Sequence, residues 1–194
     1  MKNIFLDCGT HLCGGLYEFY NNGTIDDTFE IHTFEPNPAC YASERIKSFP
    51  LNVTLHEKAV WIKDGYILFN QENHKVSGSG SPSDNVSDID GWGSSINGIG
   101  FDHPGYFKPI SVESIDFSKF INDLPDNSNI ICKMDIEGSE FMVLRKLISD
   151  ESIKKINKIY VEFHQHLMPN ESLNSRDEII NSIRNLGVTV EPWL

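Results

Sequence analysis

The sequence is short of cysteine and of positive charge, and it has no long apolar run. It holds four cysteines in 194 residues. Cys8, Cys13, Cys40 and Cys132 lack zinc-ligand spacing. No signal peptide is expected, because Met1-Lys2-Asn3 leads directly into an apolar strand pattern. The cysteines therefore read as reduced thiols of a cytoplasmic protein, and the glycosylation sequons at Asn52, Asn85 and Asn170 carry no meaning there. Sixteen Lys and Arg stand against 28 Asp and Glu, a formal net charge of −12. Binding a nucleic-acid backbone needs clustered basic residues, and no such patch is visible, so nucleic acid is not expected as a partner. No stretch is apolar for long enough to span a bilayer, so no membrane partner is expected either. The length fits one domain with a sizeable core, residues 1–194.

What is present begins with Ile4-Phe5-Leu6-Asp7-Cys8-Gly9-Thr10. Three consecutive apolar residues suit a short strand buried on both faces. Asp7 stands near its end, Gly9 follows, and Leu16, Phe19 and Tyr20 recur at helical spacing behind Gly14 and Gly15. Strand, glycine turn and helix in that order form the nucleotide cradle of α/β folds. An ordinary strand-to-helix turn has the same pattern. The acid narrows the ligand. Asp7 would repel a pyrophosphate but would welcome the positively charged S-adenosylmethionine.

Further along, Glu30 to Phe34 reads as a second strand stopped by Glu35-Pro36-Asn37-Pro38. A helix is expected from about Ala39 to Phe49 and a third strand from about Val53 to Val60. Asp64-Gly65 looks like a hairpin turn into Tyr66–Phe69. From about residue 71 to 109 the chain is rich in Gly, Ser, Asp and Asn, with Trp92 and Phe101 among them. So long an insertion suits an active-site cover or a disordered insert. Strand character returns at Phe107–Ile115, Asp116 caps a short helix, and Asn129–Asp135 is another buried strand. A helix carrying Phe141, Val143, Leu144 and Leu147 follows, then the strand Ile159–Val161. A last helix spans Arg176–Leu186 with Gly187 as its C-cap, and Val188–Val190 is a final strand. Strands alternate with helices, and acids stand at the strand ends. The class is α/β, a mostly parallel, doubly wound sheet with helices on both faces and ligands at its C-terminal edge.

Two constellations carry the chemistry. Glu35 lies where a ribose-binding acid is needed, one strand after the glycine turn. Asp135, Glu137, Glu140, Glu162 and His164 gather at two further strand ends. Close carboxylates raise each other's pKa or bind a cation, and a neighbouring histidine can serve as base. The plainer reading of Glu140 is a first-turn acid favoured by the helix dipole. His164 and His166, two residues apart, can equally be surface residues.

Several segments together resemble the FkbM family of class I methyltransferases. They are Phe5-Leu6-Asp7-Cys8-Gly9, Phe34-Glu35-Pro36-Asn37-Pro38, Lys58-Ala59-Val60, Gly93-Ser94-Ser95-Ile96, Ser114-Ile115-Asp116 and Val161-Glu162-Phe163-His164. The most specific is Lys133-Met134-Asp135-Ile136-Glu137-Gly138-Ser139-Glu140. The resemblance implies a Rossmann-like fold and transfer of a methyl group from S-adenosylmethionine to a hydroxyl of a sugar or glycosylated small molecule. It implies Asp7, Gly9, Thr10, Glu35, Asn37 and Ala59 at the cofactor and Asp135, Glu162, His164 and Glu137 in catalysis. It also implies Ser94 and Ser95 at the small-molecule or glycan acceptor. A divalent cation bridging Asp135 and Glu162 is chemically allowed but not favoured. One departure stands out, because the family's second glycine falls at Cys13. The rival readings are a non-catalytic cofactor-binding module and an NAD-dependent oxidoreductase. The latter lacks its Gly-x-Gly-x-x-Gly motif here. A nucleic-acid 2′-hydroxyl methyltransferase is opposed by the acidic balance. Acceptor, pathway and oligomeric state are not specified by the sequence.

Overall fold

The computed structural model describes residues 1–42, 44–72 and 107–193. Its centre is β1 (Asn3–Cys8), which pairs in parallel with β2 (Phe29–Phe34) on one side and β7 (Asn129–Met134) on the other. With β3 (Val53–His56), β8 (Lys158–Val161) and β9 (Thr189–Pro192) these form a six-stranded sheet in the order β3-β2-β1-β7-β8-β9. Every neighbouring pair in it is parallel. The chain leaves β1 toward one edge and later returns to build toward the other, so the topological switch lies at the C-terminal end of β1.

Side-chain alternation sorts the core into two layers. Ile4, Leu6 and Cys8 face one cluster together with Ile130, Cys132 and Met134. That layer is covered by α4 (Phe117–Asp123), α5 (Glu140–Ser149) and α6 (Leu173–Asn185), through Ile121, Leu144, Leu147 and Ile183 among others. Phe5 and Ile131 face the opposite layer with Leu16 and Phe19 of α1 (Gly14–Asn21). Each fully buried Leu, Ile or Phe side chain contributes about 1.5–3 kcal/mol. A one-residue slip of β1 would exchange the two faces, so this burial fixes the register. It also puts Asp7 and Lys133, paired in that register, on the α1 side.

The structure corrects four local expectations. The helix from Ala39 to Phe49 is two short ones, α2 (Pro38–Tyr41) and α3 (Glu44–Lys47). The strand from Val53 to Val60 breaks after His56, and β4 (Ala59–Trp61) belongs to a second sheet. Asp64-Gly65 does not close a hairpin: β6 (Phe107–Asp116) lies between β4 and β5 (Gly65–Glu72), parallel to β4 and antiparallel to β5. The Asp64 side chain instead accepts from the Asp116 backbone N–H at 3.0 Å. The proposed insertion of 71–109 is narrower at both ends, because Gln71 pairs with Lys108 and Glu72 with Phe107. Ser94, Ser95, Trp92 and Phe101 lie outside the described residues.

Candidate active site

The C-terminal ends of β1, β2, β7 and β8 surround one cleft of about 410 Å³. That is within the usual range of small-molecule sites. Its floor is the turn after β1. The Gly9 and Thr10 backbone N–H groups both donate to the Phe34 carbonyl, at 3.0 and 3.1 Å. Gly9 has φ +78°, and a Cβ there would lie 1.8 Å from the Asp135 carbonyl oxygen. Only glycine lets the two strand ends close to this distance. Cys13, where the resemblance expects a second glycine, keeps the left-handed backbone, φ 63° and ψ 19°, and packs its side chain into the core beside Leu16.

At the floor stands an ionic group, of which Lys133 and Asp135 line the cleft and Asp7 lies behind them. Lys133 Nζ donates to the Gly9 carbonyl at 2.7 Å and stands 3.4 Å from Asp7 Oδ1 and 3.2 Å from Asp135 Oδ2. Burial opposes its charge, but the two carboxylates prevail and hold the ammonium above the ordinary lysine range. Thr10 Oγ1 donates to Asp7 Oδ2. Asp7 is 1% exposed and does not line the cleft. It was expected to meet the cofactor's positive charge, but the charge it meets belongs to Lys133. The reason is parity: Asp7 shares the α1 face with Lys133, one strand over.

Glu35, at the end of β2, lines the cleft. Its Oε1 accepts from Asn37 N and its Oε2 from His11 N, both at 2.8 Å. Burial raises its carboxyl to about 7, against these hydrogen bonds, which lower it. Asn37 itself is turned away. Its side chain caps α2 by accepting from Ala39 N at 3.1 Å and also accepts from Gln71 Nε2 at 2.7 Å. Thr10 lines the cleft, and Ala59, Val60, Phe34 and Phe69 supply apolar wall.

Across the cleft the second constellation converges on His164, which is 6% exposed. Its Nδ1 lies 3.1 Å from Glu140 Oε1. Its Nε2 lies 3.6 Å from Glu137 Oε2, 3.6 Å from Glu162 Oε1 and 3.9 Å from Asp135 Oδ1. Burial works against the imidazolium, but Glu140, Glu137 and Asp135 outweigh it and raise the ring to about 9. Burial lifts Glu137 to about 8, partly offset by His164. Glu162 is also raised, by burial and then by Asp135. Glu137 (φ 53°) and Gly138 (φ 95°) have left-handed backbones, which turn the chain sharply between β7 and α5. Glu140 is the first-turn acid of α5, as expected, and it is also fully buried and folds back to accept from Ile136 N at 2.8 Å and Gly138 N at 2.9 Å.

Two residues of this site, His11 and Trp193, were not singled out by sequence reasoning, and Lys133 and Glu140, both within the quoted motif, were given no role in it. Lys133 had a usable signal: a lysine within Ile130-Ile131-Cys132-Lys133-Met134 is a charge in a buried strand and needs partners. Glu140 is the first-turn acid it was read as, and what the sequence did not show is its contact with His164, because the fold-back is tertiary. His11 N reaches Glu35 from a turn whose shape the sequence does not show. Trp193 lines the cleft, stacks on Phe19 with centroids 5.0 Å apart and lies under Lys133 Nζ, 5.8 Å from its ring centroid. No motif marks it.

A parallel sheet with a glycine turn at its switch point, and acids at the ends of the next strand and of the two strands beyond, defines a Rossmann-like α/β protein with its cleft at the C-terminal edge of the sheet. The chain belongs to the FkbM methyltransferase family: the methyltransferase FkbM domain matches residues 7–189. Among solved structures it is similar to the methyltransferase FkbM from Methylobacillus flagellatus KT, with 14% identity and a TM-score of 0.47 over 93% of this chain. The chain spans 37% of that protein's length. No curated protein matches. Among the described residues, no helix is long and apolar enough to cross a membrane.

Proposed function

We propose that the protein is an S-adenosylmethionine-dependent methyltransferase that modifies a hydroxyl of a sugar or glycosylated small molecule. The observation that carries the reading is Glu35, a buried carboxylate held by two backbone N–H groups and facing the same cleft as Asp135, Glu162 and His164. The cleft fits such a cofactor in size, and its glycine floor has no room for a side chain. Glu35 would accept from the ribose hydroxyls, and Ala59 would border the adenine. The Gly9–Thr10 turn would lie under the amino-acid end. When bound, S-adenosylmethionine supplies an electrophilic methyl group on a sulfonium.

The chain's own residues then have three tasks. Asp135 orients the acceptor hydroxyl, which is where most of the rate gain of an in-line displacement arises. The acceptor hydroxyl would give up its proton on methylation, and Glu162 is the carboxylate placed to take it. Glu137, raised to about 8, holds its own proton at neutral pH when the site holds no other cation. His164, raised to about 9, is protonated at neutral pH when the site holds no other cation, so it neutralises the acids instead of acting as base. The test is calorimetry with S-adenosylhomocysteine and, separately, NAD, followed by labelled S-adenosylmethionine with a panel of glycosides. Binding of the thioether and label in a glycoside support the reading. Binding of NAD alone, or neither ligand at millimolar concentration, overturns it.

A further inference from the structure

We infer that His164, Asp135, Glu137 and Glu162 form a site for one divalent cation of the magnesium and manganese type, with Glu140 as the residue that aims the histidine. The consequence for catalysis rests on the methyltransferase reading; the ion site stands on the side chains alone.

The argument starts at Glu140. It is fully buried, and its two oxygens are held by Ile136 N and Gly138 N. Its position is therefore set by the backbone of the β7–α5 turn. His164 Nδ1 meets it at 3.1 Å, so the ring orientation is set as well. A histidine whose Nδ1–H is given to a carboxylate presents a bare Nε2, the arrangement by which proteins orient a metal-ligating imidazole. Among the described residues, Nε2 makes no hydrogen bond. It points into three carboxylates at 3.6, 3.6 and 3.9 Å. Those separations are too long for hydrogen bonds.

An ion with ligand distances of about 2.1 Å holds adjacent ligands about 3 Å apart. The three carboxylate oxygens lie beyond that separation from Nε2 by about 1 Å or less. Glu162, with 40% of its side chain exposed, has room to do so. Asp135, Glu140 and His164 each offer an atom within 4.8 Å of the others. Glu140 is nevertheless assigned the aiming role, because its oxygens already serve two backbone donors. Lys133 reaches Asp135 from below but is shared with Asp7, so it leaves the acids around Nε2 unbalanced. Carboxylate oxygens with a single imidazole favour manganese or magnesium over softer ions. The remaining coordination positions would face the cleft. There the ion would polarise the acceptor oxygen and make its proton easier to remove.

The test uses chelator-stripped full chain and Mn²⁺, followed by calorimetry and by loss of the free-ion paramagnetic signal. The expected result is saturable binding of one equivalent. His164→Ala should weaken it by about 100-fold or more, and Glu162→Gln and Glu140→Gln by about 10- to 100-fold. Glu162→Gln is the arm least able to disturb folding. S-adenosylhomocysteine binding is measured in parallel on the metal-free protein. No saturable Mn²⁺ binding overturns the site, as does equal binding by the parent, His164→Ala and Glu162→Gln; His164 is then the imidazolium of a metal-free cluster. If the thioether binds and Mn²⁺ does not, the ion site alone fails. If Mn²⁺ binds and the thioether does not, the cofactor reading alone fails.

Discussion

Replacing Lys133 by Met tests the ionic group at the floor of the cleft. The methionine keeps most of the stem volume beside Trp193 but removes the charge. Lys133 and Asp7 have 4% and 1% of their side chains exposed, so solvent screens neither. Without the ammonium, Asp7 keeps the hydroxyl of Thr10 on one oxygen. Its other oxygen, Oδ1, is buried with no hydrogen bond among the described residues. Breaking a buried pair by removing one partner costs about 3–5 kcal/mol. The Gly9 carbonyl also loses its 2.7 Å donor, worth about 1 kcal/mol more. A domain this size is stable by roughly 5–15 kcal/mol, so the loss is a large part of the total. The assay is urea unfolding at neutral pH for the parent, Lys133→Met and the double variant Asp7→Asn/Lys133→Met. The double variant should recover part of the loss, because a neutral amide no longer needs a counter-charge. A single variant within 1 kcal/mol of the parent (far below that ~3–5 kcal/mol) would refute the reasoning. So would a double variant no better than the single.

Four further outcomes are expected. Gly9→Ala should lose cofactor binding and cost more than the roughly 1–3 kcal/mol of left-handed strain alone, because the added Cβ meets the Asp135 carbonyl; calorimetry and urea unfolding read both, and near-parent values would contradict the floor geometry. Glu35→Ala should weaken S-adenosylhomocysteine by roughly 1.5–3 kcal/mol per lost charge-assisted hydrogen bond, less any water rescue, and unchanged affinity in a folded variant removes Glu35 from the ribose. Glu35 also predicts a pH effect. Its folded-state value of about 7 is raised above the ordinary 4.5, so its contribution to stability is full below 4.5 and is lost as pH rises through 7. Glu35→Gln should therefore flatten the fall in unfolding free energy across that window, by at most about 3 kcal/mol, and parallel curves for parent and variant would contradict the burial argument. Finally, Asp135→Asn should slow methyl transfer by about 10²-fold with little change in cofactor affinity, and full turnover on a genuine acceptor would take Asp135 out of the reaction.

The parts legible in the sequence were local. Apolar runs marked β1, β2, β7 and β8, and the acids at the ends of three of them, Glu35, Asp135 and Glu162, line the cleft. Period and punctuation suffice there, because a parallel strand buried on both faces must be apolar and its end is where polar residues can begin. The same local signals misread the second sheet. Asp64-Gly65 has the composition of a hairpin, but whether the next strand pairs with β4 or lets β6 between them depends on a segment more than forty residues on.

What only the tertiary structure decided is which charges meet. Asp7 read as a cofactor acid, but its partner is Lys133, whose Nζ bonds a carbonyl 124 residues away in the chain. Glu140 is the helix-end acid it was read as, but only the packed β7–α5 turn puts it under His164. A charge in the sequence carries no direction. Strand register assigns it a face, and burial then requires a partner on that face, so the pairing of these groups follows from the packed sheet and not from any motif.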